Sequence, residues 1–148
     1  MRKSRVVAKL RENQPVLFYG LHFTDPSVWE LASLIGVDCL WFDMEHHAHS
    51  METAANLFRA ARTGTSDIIS RPAKGEWMRM SRMLEAGATG IMYPRCDNAS
   101  EAREVVRWCK FAPMGERGFD GGNPDVPYCM MDIAEYVRLA NEETFIVI

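Results

Sequence analysis

Residues 39 to 50 read CLWFDMEHHAHS. Four apolar residues give way to Asp43, Glu45, His46, His47 and His49, so three of the chain's four histidines crowd where a strand would leave the core. Side chains of these types can ligate a metal together, act singly as a general base beside a carboxylate, or line a solvated loop. A joint metal site needs three imidazoles converging from neighbouring positions, and adjacent side chains diverge in an extended segment. One histidine acting as a base is simpler chemistry, because imidazole titrates near neutrality and a nearby carboxylate raises its basicity. Two other places put polar residues just past an apolar run, SRP at 70–72 and YPRC at 93–96.

These groups need a frame. Residues 16–19, 38–42, 67–70, 90–93 and 144–148 are the expected strands, apolar almost throughout, as parallel strands covered on both faces tend to be. Between them, apolar residues recur at helical spacing: Val28, Leu31, Ala32 and Ile35; Met51, Ala54, Ala55 and Phe58; Trp77, Met80 and Leu84; Ala102, Val105, Val106 and Cys109. Asp25-Pro26 suits a cap followed by proline at the first helical position, and Asn98 with Glu101 suits a capping box. Gly36, Gly64 and Gly87 stand where helices should stop. Strand starts fall about 25 residues apart, the size of a βα unit in a parallel α/β protein.

Residues 111–130, FAPMGERGFDGGNPDVPYCM, interrupt that rhythm. Without a phosphate-binding glycine pattern opening a helix, an ordered covering or subunit-contact loop is favoured over an anion cradle. The chain then stops at TFIVI, a bare strand edge of the kind proteins normally cover. The expected architecture is therefore α/β: residues 1–148 form a single partial domain, roughly the first five strands of an incomplete (β/α)8 TIM barrel truncated at its C-terminal end. A complete five-stranded open sheet is the competitor.

Composition narrows the function classes. A net charge of -3 with mixed signs leaves no electrostatic footprint for nucleic acid. No apolar run reaches a membrane span, and the start lacks a signal-peptide core. The four cysteines show no CxxC spacing, which points to reduced thiols and a cytoplasmic setting.

Taken in order and spacing, WFDMEHH, SRPAKGEWMRMSRMLEAGATGIMYPRC and FAPMGERGFDGG resemble the HpcH/HpaI aldolase family, the metal-dependent (class II) pyruvate aldolases, from Pro15 onward. The resemblance implies a carbon–carbon lyase that interconverts a 4-hydroxy-2-oxo acid with pyruvate and an aldehyde. It implies a divalent metal (Mg, Mn or Co) and a homo-oligomer, a hexamer in the family. It makes His46 the catalytic base and Arg71 the contact to the pyruvate oxygens and enolate, with Asp43 and Glu45 as supporting carboxylates. A guanidinium beside a developing enolate oxygen supplies fixed positive charge where negative charge appears. His47 and His49 receive no role.

Glu85, in LEAGA, departs from the family's LDxGA, whose aspartate raises the basicity of the histidine. Because Glu85 ends a helix at the amino-terminal face of its own barrel, a dyad with His46 would form across a subunit boundary; a solvated or structural glutamate is the alternative. The family's acidic metal ligands would fall beyond Ile148, so no metal ligand is expected within the chain, and the chain alone is expected to be inactive. No lysine ends a strand, which disfavours a Schiff-base aldolase. The alternatives are citrate-lyase-like cleavage of an acyl-CoA ester and a non-catalytic half-barrel.

Overall fold

Each expected strand forms in the computed structural model, which describes residues 3–148: β1 (Phe18–Gly20), β2 (Cys39–Asp43), β3 (Asp67–Arg71), β4 (Gly90–Met92) and β5 (Phe145–Val147). All pair in parallel, in the order β1-β2-β3-β4-β5. That order decides between the two sheet architectures. A doubly wound open sheet reverses its strand order at a switch point, whereas a barrel adds each new strand on the same side.

Burial agrees with the order. Along β2, Leu40 and Phe42 point into a layer built from Trp29, Phe58, Met80 and Leu84, on helices α2 (Pro26–Leu34), α3 (Met51–Ala61) and α4 (Trp77–Ala86). Val105 joins that layer from α5 (Ala99–Cys109). The alternate residues Cys39 and Trp41 face the other way, into a smaller cluster with Ile69, Met92 and Phe145. Helices thus cover one face of the sheet, and the other is the inside of a barrel arc. Asp43 shares the inner face with Trp41, and the β2–β3 register sets Arg71 directly opposite it.

The helix ends follow their chemistry. Asp25 accepts a hydrogen bond from the Ser27 N–H, and Asn98 accepts one from that of Glu101. The Glu101 carboxylate takes the Asp97 N–H instead of completing the reciprocal box at Asn98. Gly36 and Gly87 adopt left-handed φ of 87° and 118° just past their helices. Gly64 serves differently: a Cβ there would lie 2.3 Å from the Ser33 carbonyl carbon, so it permits close approach.

Two helices lie outside the expected set. Helix α1 (Arg5–Arg11) is too short to show a period, and is fixed by polar contacts at the amino-terminal end of the strands. Ser4 Oγ and the Val6 N–H both donate to Asp67 Oδ2, at 2.6 and 2.8 Å. Arg5 and Lys9 reach the Asp38 carboxylate at 2.8 and 2.7 Å. Helix α6 (Ile133–Glu143) follows the irregular segment, where Phe111, Val126, Tyr136 and Ala140 form a separate small core. Residues 111–130 contain no strand and only one 3-10 turn, at Pro127–Cys129. Among the described residues, no helix is long and apolar enough to cross a membrane.

Candidate active site

The carboxyl end of β2 delivers Asp43, and that of β3 delivers Arg71. The guanidinium lies side-on to the carboxylate, with Nε donating to Oδ1 at 3.0 Å and Nη2 to Oδ2 at 2.7 Å. It also stacks over the Trp41 ring, 4.7 Å from its centroid. Burial pushes the Asp43 carboxyl pKa up. The Arg71 hydrogen bonds, the Glu45 and His46 N–H groups and the Arg71 charge outweigh that and hold it at about 2. Asp43 is therefore an anion at any physiological pH, and its partnership raises the Arg71 pKa in turn, chiefly through the hydrogen bonds. Using Nε and Nη2 leaves the Nη1 side of the fork for a ligand.

Beyond the strand, Glu45 is almost wholly buried and gathers cationic groups. Arg71 Nε lies 3.3 Å from its Oε2, His46 Nε2 3.5 Å from the same oxygen, and Arg95 Nη2 2.9 Å from Oε1. His46 is largely exposed at the mouth. His47 sits instead 3.9 Å from Asp43, its ring against those of His22 at 4.3 Å and His49 at 5.6 Å. Burial, with the His47 charge, pushes the His49 pKa down. The structure thus gives His46 and the row of His22, His47 and His49 different partners.

The end of β4 completes the mouth. Arg95 follows Pro94 with a left-handed φ of 50°. Its carbonyl accepts a hydrogen bond from Lys74 Nζ at 2.7 Å, and Lys74 is itself held by Asp97 and Glu101 at 2.5 and 3.2 Å. Tyr93 stacks on Trp77, donates to Glu101 at 2.8 Å and accepts from the Gly75 N–H at 3.1 Å, tying the loop after β3 to the loop after β4. Glu45, His46, Arg71, Ala73, Pro94 and Arg95 line one cleft of about 430 Å³. Sequence reasoning placed YPRC at a strand end but gave Arg95 no task; an arginine one residue past the β4 proline was the available signal.

Glu85 lies elsewhere. It occupies the last turn of α4 and borders a different cleft with Arg59, Gly122 and Pro124. Burial raises its pKa, with Asp120 and Asp125 adding to the rise and Arg117 opposing it. Within one chain Glu85 and His46 do not share a site, as the helix-end position implied.

A divalent ion fits these residues poorly. Among the described residues, no group of three or more His, Cys, Asp or Glu side chains is arranged to hold one. Asp43 and Glu45, the carboxylates at the mouth, are engaged by arginines.

The family model described as HpcH/HpaI aldolase/citrate lyase matches residues 15–148. The chain belongs to the HpcH/HpaI family. This HpcH/HpaI chain is 26% identical over 141 residues to a hydroxypyruvate/pyruvate aldolase of Delftia acidovorans, covering 95% of the chain and 52% of that protein. It is 33% identical over 102 residues to a 4-hydroxy-4-methyl-2-oxoglutarate aldolase of Hapsidospora irregularis, covering 68% of the chain and 38% of that protein. Among solved structures it resembles an HpcH/HpaI aldolase from Desulfitobacterium hafniense, with a TM-score of 0.86, 28% identity, and coverage of 94% of this chain and 54% of that one. The chain spans about half the length of the Delftia acidovorans and Desulfitobacterium hafniense proteins. The family is one of aldolases and lyases, and the arc of five parallel strands is its barrel type.

Proposed function

We propose that this HpcH/HpaI chain handles the pyruvate end of a reversible aldol cleavage, in which a 4-hydroxy-2-oxo acid yields pyruvate and an aldehyde. The activity belongs to the chain together with the segments that its relatives have beyond the matched half, and those segments would supply the acidic ligands of a divalent cation. The observation that carries the reading is the Arg71 fork, clamped side-on by Asp43, lining a cleft that also holds His46.

Each residue then has a definite task. In the cleavage direction, the 4-hydroxyl loses its proton, the C3–C4 bond breaks, and the electron pair moves onto the 2-oxo group as an enolate that is later protonated at C3. His46, exposed and beside the Glu45 carboxylate, is the group placed to accept and return a proton. Arg71 holds the oxygens of the oxo acid and interacts more strongly as the keto oxygen gains charge. Asp43 keeps the fork in plane and ionised. Glu85 would serve only from a neighbouring subunit of a homo-oligomer, approaching the His46 of its partner.

Oxalate, which mimics the enolate of pyruvate, tests the Arg71 assignment by binding alone. Calorimetry should show oxalate and pyruvate binding to the protein and weakening by roughly tenfold or more in Arg71→Lys, because an ammonium cannot bridge two oxygens in one plane. Oxalate affinity indifferent to Arg71 would sink the reading. Retro-aldol assays with a 4-hydroxy-2-oxo acid, with and without Mn, check the carbon–carbon step.

A further inference from the structure

The mouth of the cleft carries a second guanidinium that the proposed chemistry does not use. Arg95 engages Glu45 through Nη2, at 2.9 Å, and its side chain remains 69% exposed. Glu45 already has Arg71 Nε at 3.3 Å on its other oxygen, so a second arginine is more than its charge requires. The backbone is also held in a costly conformation. A non-glycine residue at φ 50° is strained, and such strain persists where the surroundings fix it. Lys74 does that, gripping the Arg95 carbonyl at 2.7 Å while anchored to Asp97 and Glu101. The result is a positioned cation that lines the same cleft as Arg71.

We propose that Arg95 determines substrate specificity by binding a carboxylate carried on the aldehyde partner. The inference rests on the oxo-acid reading above, and it names the substrate class: an aldol product with an acidic group at each end. Arg71 and Arg95 sit on opposite oxygens of Glu45, so the two guanidiniums are spaced by a carboxylate. A short dicarboxylic oxo acid can then present its 2-oxo end to Arg71 and its far end to Arg95. A cleft of about 430 Å³ accommodates a molecule of that size.

The test compares 2-oxoglutarate with 2-oxopentanoate, which have the same carbon skeleton length but differ in whether the far end is charged. Calorimetry on the wild-type protein should show 2-oxoglutarate binding roughly 5- to 30-fold more tightly, the range for one charge-assisted contact at a partly exposed site. Arg95→Asn, a residue that tolerates left-handed backbone, should erase that preference and leave 2-oxopentanoate within about twofold of wild type. Arg95→Lys should retain part of it. A preference near unity in the wild type, a preference that survives Arg95→Asn, or equal losses for both acids would overturn the assignment. If neither acid binds, the oxo-acid reading falls and takes this assignment with it; if 2-oxopentanoate binds and 2-oxoglutarate gains nothing, only the role of Arg95 falls.

Discussion

Phe18 on β1 and Phe145 on β5 meet edge to face, with ring centroids 6.4 Å apart and planes at 80°. Their strands are the two edges of the sheet. In a flat sheet, neighbouring strands lie about 4.8 Å apart, so strands four steps apart would be separated by roughly 19 Å. The side chains touch because the sheet curls toward closure around its inner face, which also aims the carboxyl ends of β2, β3 and β4 at one point.

That curl depends on Gly90. A Cβ at this position would lie 2.4 Å from the Phe145 ring. Gly90→Ala should displace Phe145, separate the two edges and destabilise the fold by about 1–3 kcal/mol, the usual cost of overpacking. Urea unfolding monitored by circular dichroism measures it, and a change of a few tenths would mean that the lumen accommodates the methyl group.

The Asp43–Arg71 pair makes stability depend on acid. The folded carboxyl is depressed from an ordinary 3.8 to about 2, so its stabilisation is fully present above about pH 4 and is lost as pH falls through 2. The gap corresponds to roughly 2 kcal/mol. The stability difference between wild type and Asp43→Asn should shrink across that window and stay flat from pH 5 to 8, as urea midpoints at a series of pH values would show.

His46 and His47 are adjacent in sequence but not in surroundings. In a whole protein that carries the segments its relatives have beyond the matched half, turnover should fall about 100- to 10,000-fold in His46→Ala, as for a lost general base, and far less in His47→Ala. The ring of His47 is occupied with His22 and His49. Steady-state rates on a 4-hydroxy-2-oxo acid decide it, and equal losses would point to joint action of the histidines.

Thiol labelling probes the two faces of the sheet. Cys39 lies inside the arc and Cys109 in the helix layer, both buried; burial raises both thiols, that of Cys109 to about 12. Cys129 is exposed and Cys96 partly so. Under native conditions a thiol reagent should modify Cys129 and Cys96 and reach the other two only on unfolding. Mass spectrometry of the labelled peptides reads the order.

Much of this arrangement is legible in the sequence, because strands covered on both faces spell themselves out as short β-branched and aromatic runs. Parallel pairing then brings Asp43 and Arg71 level without further information. The seven residues of α1 carry no such signal; polar anchors far along the chain, Asp38 and Asp67, hold that helix. Arg95 is hidden for a different reason. Its importance lies in a backbone conformation and in a lysine twenty-one positions earlier that grips its carbonyl, and neither can be read from YPRC. The histidine cluster divides in the structure: His46 lies against Glu45, while His47 and His49 stack on each other, a split that their spacing does not reveal.

Glu45 touches Arg71, Arg95 and His46 at once, so substitutions at those three positions share one energetic link and will not add. Because Arg71 already pairs with the other oxygen of Glu45, a lineage that altered position 95 could change the far-end preference while that pair stays in place. Glu45 is the less replaceable position, since one change there would release Arg71, Arg95 and His46 together.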